Sequence, residues 1–208
     1  MRTIYLVRHG ESNANAGERT ESEAQIKLTA LGEAQAELAC QTLSRLGVKK
    51  IVASKYPRAL QTAKPLADKL GLPIEVWPIH EFFYLDPKVA NGTTQEERKL
   101  IRDKFWGTMA TDWRHAPDTE SFNDFLGRIE SCKARILEST DTICIFGHGL
   151  FYTALLITLH NPEANAAEIM RLTHQTIYTT FCNVKNGEIL KLTHSNAKWL
   201  EFPPIPGR

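Results

Sequence analysis

Three short apolar runs constrain this fold more than any other feature of the chain: Thr3–Val7 (TIYLV), Lys50–Ser54 (KIVAS) and Thr142–Phe146 (TICIF). They show little polar–apolar alternation, and each is too short for a helix. A strand buried on both faces produces that pattern, which belongs to parallel sheets with helices above and below. Helical patterns do separate the runs. The spacing therefore predicts an α/β fold, a three-layer α/β/α sandwich around a mostly parallel central sheet.

The helical patterns can be placed in turn. Leu28–Gly47 (LTALGEAQAELACQTLSRLG) reads as a helix with Leu31, Ala34, Leu38 and Leu46 on one face and Gly47 closing it. Arg58–Ala63 (RALQTA) begins another, which Pro65 is expected to interrupt or kink because proline lacks the N–H that a helix interior uses. Leu72–Trp77 (LPIEVW) reads as a further strand. From Ser121 to Leu137, Phe122, Phe125, Ile129, Cys132 and Ile136 recur at spacings of three and four, and Ser121 with Asp124 resembles a capping box. Gly149–Leu159 is an apolar helix too short to span a bilayer. Asn186-Gly187 signals a two-residue hairpin turn, and the final PPIPGR reads as a loose tail. Between about 82 and 120 the alternation breaks, leaving a charged helical stretch (TTQEERKLIRDKFW) and irregular sequence. That stretch reads as an insertion over one end of the sheet within a single domain, 1–208.

Composition narrows the function. A length of 208 residues suits one domain, and 42% hydrophobic with 24% charged residues suits a globular core. The net charge of +1 argues against nucleic acid or a membrane surface as partner, since both demand concentrated positive charge. Cys40, Cys132, Cys144 and Cys182 are widely spaced and lie in apolar or amphipathic stretches, which fits buried free thiols. With no secretory pattern at the start, a soluble cytoplasmic protein is expected. No feature specifies an oligomer.

In an open parallel sheet, ligands collect at the carboxyl ends of the strands. Arg8 and His9 follow the first run, Arg58 lies just beyond the second, Glu81 follows LPIEVW and His148 follows TICIF. Two arginines, two histidines and a carboxylate at one rim make an anion site with acid–base groups, because guanidinium forks match phosphate geometry. Gly10 and Gly149 are placed to let backbone approach such an anion. The remaining histidines (His80, His115, His160, His174, His194) show no compact metal-ligand spacing and read as structural or exposed. No metal or other cofactor is expected. Trp106 and Trp113 suit packing of the insertion.

RHGESNAN, LTALGEAQA, SKYPRALQTA, His80-Glu81, DTESFNDFLGRI and GHG together resemble the successive motifs of the histidine phosphatase superfamily, also called the phosphoglycerate mutase-like family. The resemblance covers nearly the whole chain and is weakest in the insertion. It implies that His9 is the nucleophile, taking a phosphoryl group on a ring nitrogen. It also implies that Arg8, Arg58 and His148 hold the phosphoryl oxygens, with Asn15, Ser12 and Gly149 contributing to the phosphate site. Glu81 matches the family's proton donor, with Asp86 a rival acid.

The implied activity is cofactor-independent hydrolysis of a small phosphomonoester. One alternative is phosphoglycerate mutase-type transfer, which needs a second anion site. Arg98, Lys99, Arg102, Lys104 and Arg114 lie in the insertion, but a solvated helix face accounts for the first four. The other alternative, a non-catalytic scaffold, is disfavoured because every chemical residue is present. Phe82, Phe83 and Tyr84 stand where many relatives carry a more polar stretch, and point to a leaving group with some apolar surface.

Overall fold

The computed structural model describes residues 2–20, 22–178, 184–195 and 198–205. Its elements in chain order are β1 (Arg2–Arg8), α1 (Ala30–Leu43), β2 (Lys50–Ala53), α2 (Pro57–Leu70), β3 (Ile74–Val76), α3 (Pro87–Ala90), α4 (Lys99–Thr108), α5 (Phe122–Glu138), β4 (Ile143–Gly147), α6 (Gly149–His160), α7 (Ala166–Tyr178), β5 (Ile189–Ser195) and β6 (Lys198–Ile205). The strands form one sheet in the order β3-β2-β4-β1-β5-β6. The first four run parallel, β5 runs antiparallel to β1, and β6 runs antiparallel to β5.

The three apolar runs become β1, β2 and β4, each with a neighbour on both sides. Their alternate residues enter two separate cores. Ile4, Leu6, Val52, Ile143 and Ile145 meet Phe125, Ile129, Phe151, Leu155 and Ile169 of α5, α6 and α7. Tyr5, Val7, Ile51, Ala53, Cys144 and Phe146 meet Ala39, Cys40, Leu43, Ala63 and Leu66 of α1 and α2. Both sheet faces are therefore covered, which is why these strands carry so little polar alternation. Arg8 pairs in register with Gly147, and Ala53 with Phe146. The residues that follow β1, β2 and β4 consequently emerge at the same edge.

Helix α5 follows its pattern: Phe122, Phe125, Ile129, Cys132 and Ile136 are all buried. Its capping box forms, the Ser121 N–H donating to Asp124 Oδ2 at 2.7 Å and the Asp124 N–H to Ser121 Oγ at 3.2 Å. Helix α1 buries a different face from the one its leucines suggest. Gly32, Ala36, Ala39, Cys40 and Leu43 are inside, while Leu31 is 54% exposed. Close approach decides this, since Gly32 lies against the backbone of Gly10 and Glu11, where no larger residue fits.

Pro65 does not interrupt α2, which continues through it to Leu70. Thr62 and Ala63 before it and Leu66 and Ala67 after it share one buried face, and that packing offsets the lost hydrogen bond. The tail is not loose as far as Ile205, because Pro203 and Pro204 belong to β6. That strand is at the sheet edge, where proline's missing donor is tolerated. Asn186-Gly187 does form a turn, with Gly187 at φ 74°, leading into β5. The expected partner strand at 181–183 lies outside the described residues, as does Cys182. Cys40, Cys132 and Cys144 are buried free thiols.

Between β3 and α5 the chain carries α3 and α4, fastened by aromatic rings. Phe82 stacks on Phe125 at 4.6 Å, Tyr84 lies 4.8 Å from Phe105, and Trp113 lies 5.5 Å from Phe105. Trp106 is buried in the same cluster. Both tryptophans thus pack this segment onto the sheet's α5 side.

Candidate active site

The site begins where β1 ends. The His9 N–H donates to Gly147 O at 3.0 Å, so the ladder to β4 holds the residue's backbone. Its ring Nδ1 lies 2.7 Å from the carbonyl oxygen of Gly10. A carbonyl only accepts, so the ring proton sits on Nδ1 and Nε2 is left unprotonated, an acceptor. Burial, then the charge of Arg58, holds the imidazole well below its usual range, which keeps it neutral. Gly10 is itself fixed, its N–H donating to Thr62 Oγ1 at 3.0 Å. A Cβ on Gly10 would overlap the Gly32 carbonyl, so this glycine serves the approach of α1 rather than space for an anion.

Arg58, in the first turn of α2, donates from Nε to His9 Nε2 at 3.3 Å. Its guanidinium lies 4.8 Å over the Tyr56 ring, and Nη2 is 2.7 Å from Glu23 Oε2. Arg8 donates from Nη1 to Val184 O at 2.6 Å. His148 ends the β4 edge, its Nε2 2.7 Å from Ser54 Oγ and its ring 5.1 Å from that of His9. Burial, followed by Arg58 and His9, pushes the His148 imidazole well below its usual range. Among the described residues, Arg8 Nε, Arg58 Nη1 and His148 Nδ1 are buried without a hydrogen-bond partner. Unpartnered polar atoms on cationic groups are what an anion site requires, and Arg8 and Arg58 line a common cavity, whereas His148 is fully buried and is not part of its lining.

Glu81 reaches the same place from the segment after β3. Its Oε1 accepts from the Phe82 N–H at 3.3 Å and its Oε2 from the Leu150 N–H at 3.4 Å. Burial raises its pKa, opposed by Arg8 and Arg58. The rival acid is placed elsewhere: Asp86 caps α3, its Oδ1 accepting from the Lys88 N–H at 2.9 Å. Arg8, His9, Arg58 and Glu81 line one cavity of about 800 Å³, and Asp86 does not. Ser12 and Asn15 are in its wall, tied together by a Ser12 Oγ to Asn15 Oδ1 bond of 2.8 Å. Gly149 brings its backbone against Arg8, where an added Cβ would stand 3.4 Å from the guanidinium carbon. Phe82, Phe83 and Tyr84 also line the cavity. Phe82 does so as a core ring that is only 5% exposed.

Several residues of the site escaped the sequence reading. Thr62 accepts from Gly10 and donates to Arg58 O at 2.6 Å, and its only signal was a spacing of four from Arg58. Ser54 ends the KIVAS run and orients His148. The Asn186 amide donates to His9 O at 2.9 Å and Asn15 Oδ1 at 3.1 Å, binding the hairpin turn to the site. Glu23 had no motif signal at all. The charged helix also divides. Arg98 and Arg102, four apart, line the cavity, whereas Lys99 and Lys104 are exposed. A solvated face therefore describes only the two lysines. Among the described residues no group of three or more His, Cys, Asp or Glu could hold a metal ion, and no helix is long and apolar enough to cross a membrane.

Comparisons with known proteins identify the fold and the family. The probable phosphoglycerate mutase GpmB of Enterobacter sp. (strain 638) is 30% identical over 205 residues, covering 96% of this chain and 88% of that protein. Among solved structures, the mycobacterial glucosyl-3-phosphoglycerate phosphatase superposes with a TM-score of 0.73 at 21% identity, over 97% of each chain. The alpha-ribazole phosphatase of Shigella flexneri superposes with a TM-score of 0.73 at 23% identity, over 96% of this chain and 94% of that one. The family model of the histidine phosphatase superfamily (branch 1) matches residues 4–196, and the chain belongs to that superfamily.

Proposed function

We propose that the chain is a phosphatase that hydrolyses a small phosphomonoester through a phosphohistidine on His9. The observation that carries this reading is the His9 ring: Nε2 is unprotonated because Nδ1 faces the Gly10 carbonyl, and its lone pair accepts from Arg58 Nε at 3.3 Å. A phosphoryl group seated among Arg8, Arg58 and His148 has its oxygens held while Nε2 attacks phosphorus and the bond to the leaving oxygen breaks. Glu81, whose pKa burial raises, is the group placed to give a proton to that oxygen. The resulting carboxylate then takes a proton from water as the hydroxide attacks phosphorus, releasing phosphate and restoring His9. The test is rapid-quench labelling with a ³²P-phosphomonoester. Acid-labile, base-stable label on the wild type and none on His9→Ala is expected. Full turnover by His9→Ala would overturn the reading.

A second reading is transfer between two positions of one sugar acid, as in a phosphoglycerate mutase. Arg98 and Arg102 favour it, since two cations in the cavity wall suit a second anionic group. Assaying 3- to 2-phosphoglycerate conversion beside phosphate release separates the two. Interconversion much faster than release would replace hydrolysis with transfer.

A further inference from the structure

We propose that Glu23 is an acidic latch that competes with the phosphoryl group for Arg58, and so sets how weakly the site holds phosphate. This rests on the phosphoryl site described above. Glu23 lies in the connection between β1 and α1 and lines the cavity with Ser12, Asn15 and Arg58. Its Oε2 is 2.7 Å from Arg58 Nη2, yet the approach is off the N–H axis, an ion pair without an aligned hydrogen bond. The Arg58 side chain is 6% exposed and that of Glu23 is 32% exposed, so the arginine is fixed and the carboxylate has room to leave.

One guanidinium thus serves two groups: Nε reaches the nucleophilic nitrogen of His9, and Nη2 holds an internal carboxylate. A phosphoryl group on Nε2 must share that guanidinium and bring its own negative charge beside Glu23. Like charges that close repel, so substrate or product phosphate binds fully only when the carboxylate swings away. The backbone that carries the latch is anchored to the segment before α4. Thr20, three residues before Glu23, bridges to Thr93, and Arg19 pairs with Glu97 at 2.5 Å, both ahead of α4. Those ties leave the Glu23 side chain as the movable part and give it a defined position to return to once phosphate departs.

The test measures inorganic phosphate binding by calorimetry to the full-length wild type, Glu23→Gln and Glu23→Ala, with p-nitrophenyl phosphate kinetics on the same preparations. Removing one partner of a partly exposed pair predicts roughly tenfold tighter phosphate binding in both variants, about 1.4 kcal/mol. KM should fall in parallel, and kcat should not rise. If Glu23 merely braced Arg58, phosphate binding would weaken and kcat would drop in both variants, and the latch would be rejected. Unchanged affinity would reject it too. Absence of both phosphate binding and turnover in the wild type would instead overturn the phosphatase reading and the latch together.

Discussion

Replacing Glu81 by Gln removes a proton donor and leaves its shape. The Phe82 and Leu150 N–H groups donate to different carboxylate oxygens, so the single amide oxygen keeps one of these contacts, and the other, at 3.3 or 3.4 Å, is long enough that its loss costs little. The fold is therefore retained, and the chemistry isolates the proton. General acid catalysis contributes typically 10²–10⁴-fold, or about 2.7–5.5 kcal/mol of barrier, when the leaving group is a poor one. For glycerol phosphate the loss in kcat is expected in that range. For p-nitrophenyl phosphate, whose phenolate leaves without a proton, it should be roughly tenfold or less. Stability gives a second readout with a definite sign. Burial raises the Glu81 pKa above its unfolded value, so above that value the folded state either carries a buried charge or retains a proton that the unfolded chain releases. Stability that Glu81 permits at low pH is lost as pH rises through the raised pKa. Glu81→Gln should accordingly melt higher than wild type at neutral pH and equal to it well below pH 4. Equal kcat losses on the two substrates, or a lower melting temperature at neutral pH, would refute the reasoning.

Gly10→Ala places a Cβ into the Gly32 carbonyl; roughly 1–3 kcal/mol of destabilisation is expected, seen as a lower urea midpoint, with loss of turnover as His9 shifts. Phe125→Ala removes a fully buried ring stacked on Phe82 at 4.6 Å. That should cost about 3–5 kcal/mol, roughly 6–20 °C in melting temperature by calorimetry. His9 and His148 are held neutral by burial and by arginine charge, and His80 is pushed down to about 4. Their folded pKa values lie below the unfolded one, so stability is whole above about pH 6.5 and falls as pH drops from there toward about 4, a slope that urea titration resolves. Arg8 and Arg58 supply the positive field that a metal provides in other phosphoryl transfers, so turnover should survive EDTA, and a strict need for added divalent metal would contradict that assignment.

The layered α/β fold was legible because β1, β2 and β4 are interior strands, and burial on both faces leaves little room for the polar alternation that marks other strands. Arg8, His9, Arg58, Glu81 and His148 were legible for a related reason. The register of the interior strands β1, β2 and β4 sends the residues that follow them to one edge, and Glu81 follows the edge strand β3, so four separate stretches of sequence could be assigned to one rim. The face of α1 was not legible. Leucine spacing marks where apolar surface is available, whereas the close approach of Gly10 to Gly32 decides which surface is used, and that contact joins two separate segments. Pro65 is expected to interrupt or kink a helix by local rules, yet α2 continues through it because its buried face is supported by α1 and the sheet. Glu23 and the Arg98–Arg102 pair belong to the same class. A charged residue in a connection or on a helix looks solvated from its neighbours alone, and only the folding of those segments over the strand ends brings them into the cavity. Local pattern records how each stretch meets water, whereas the partners that arrive from distant parts of the chain are set by packing.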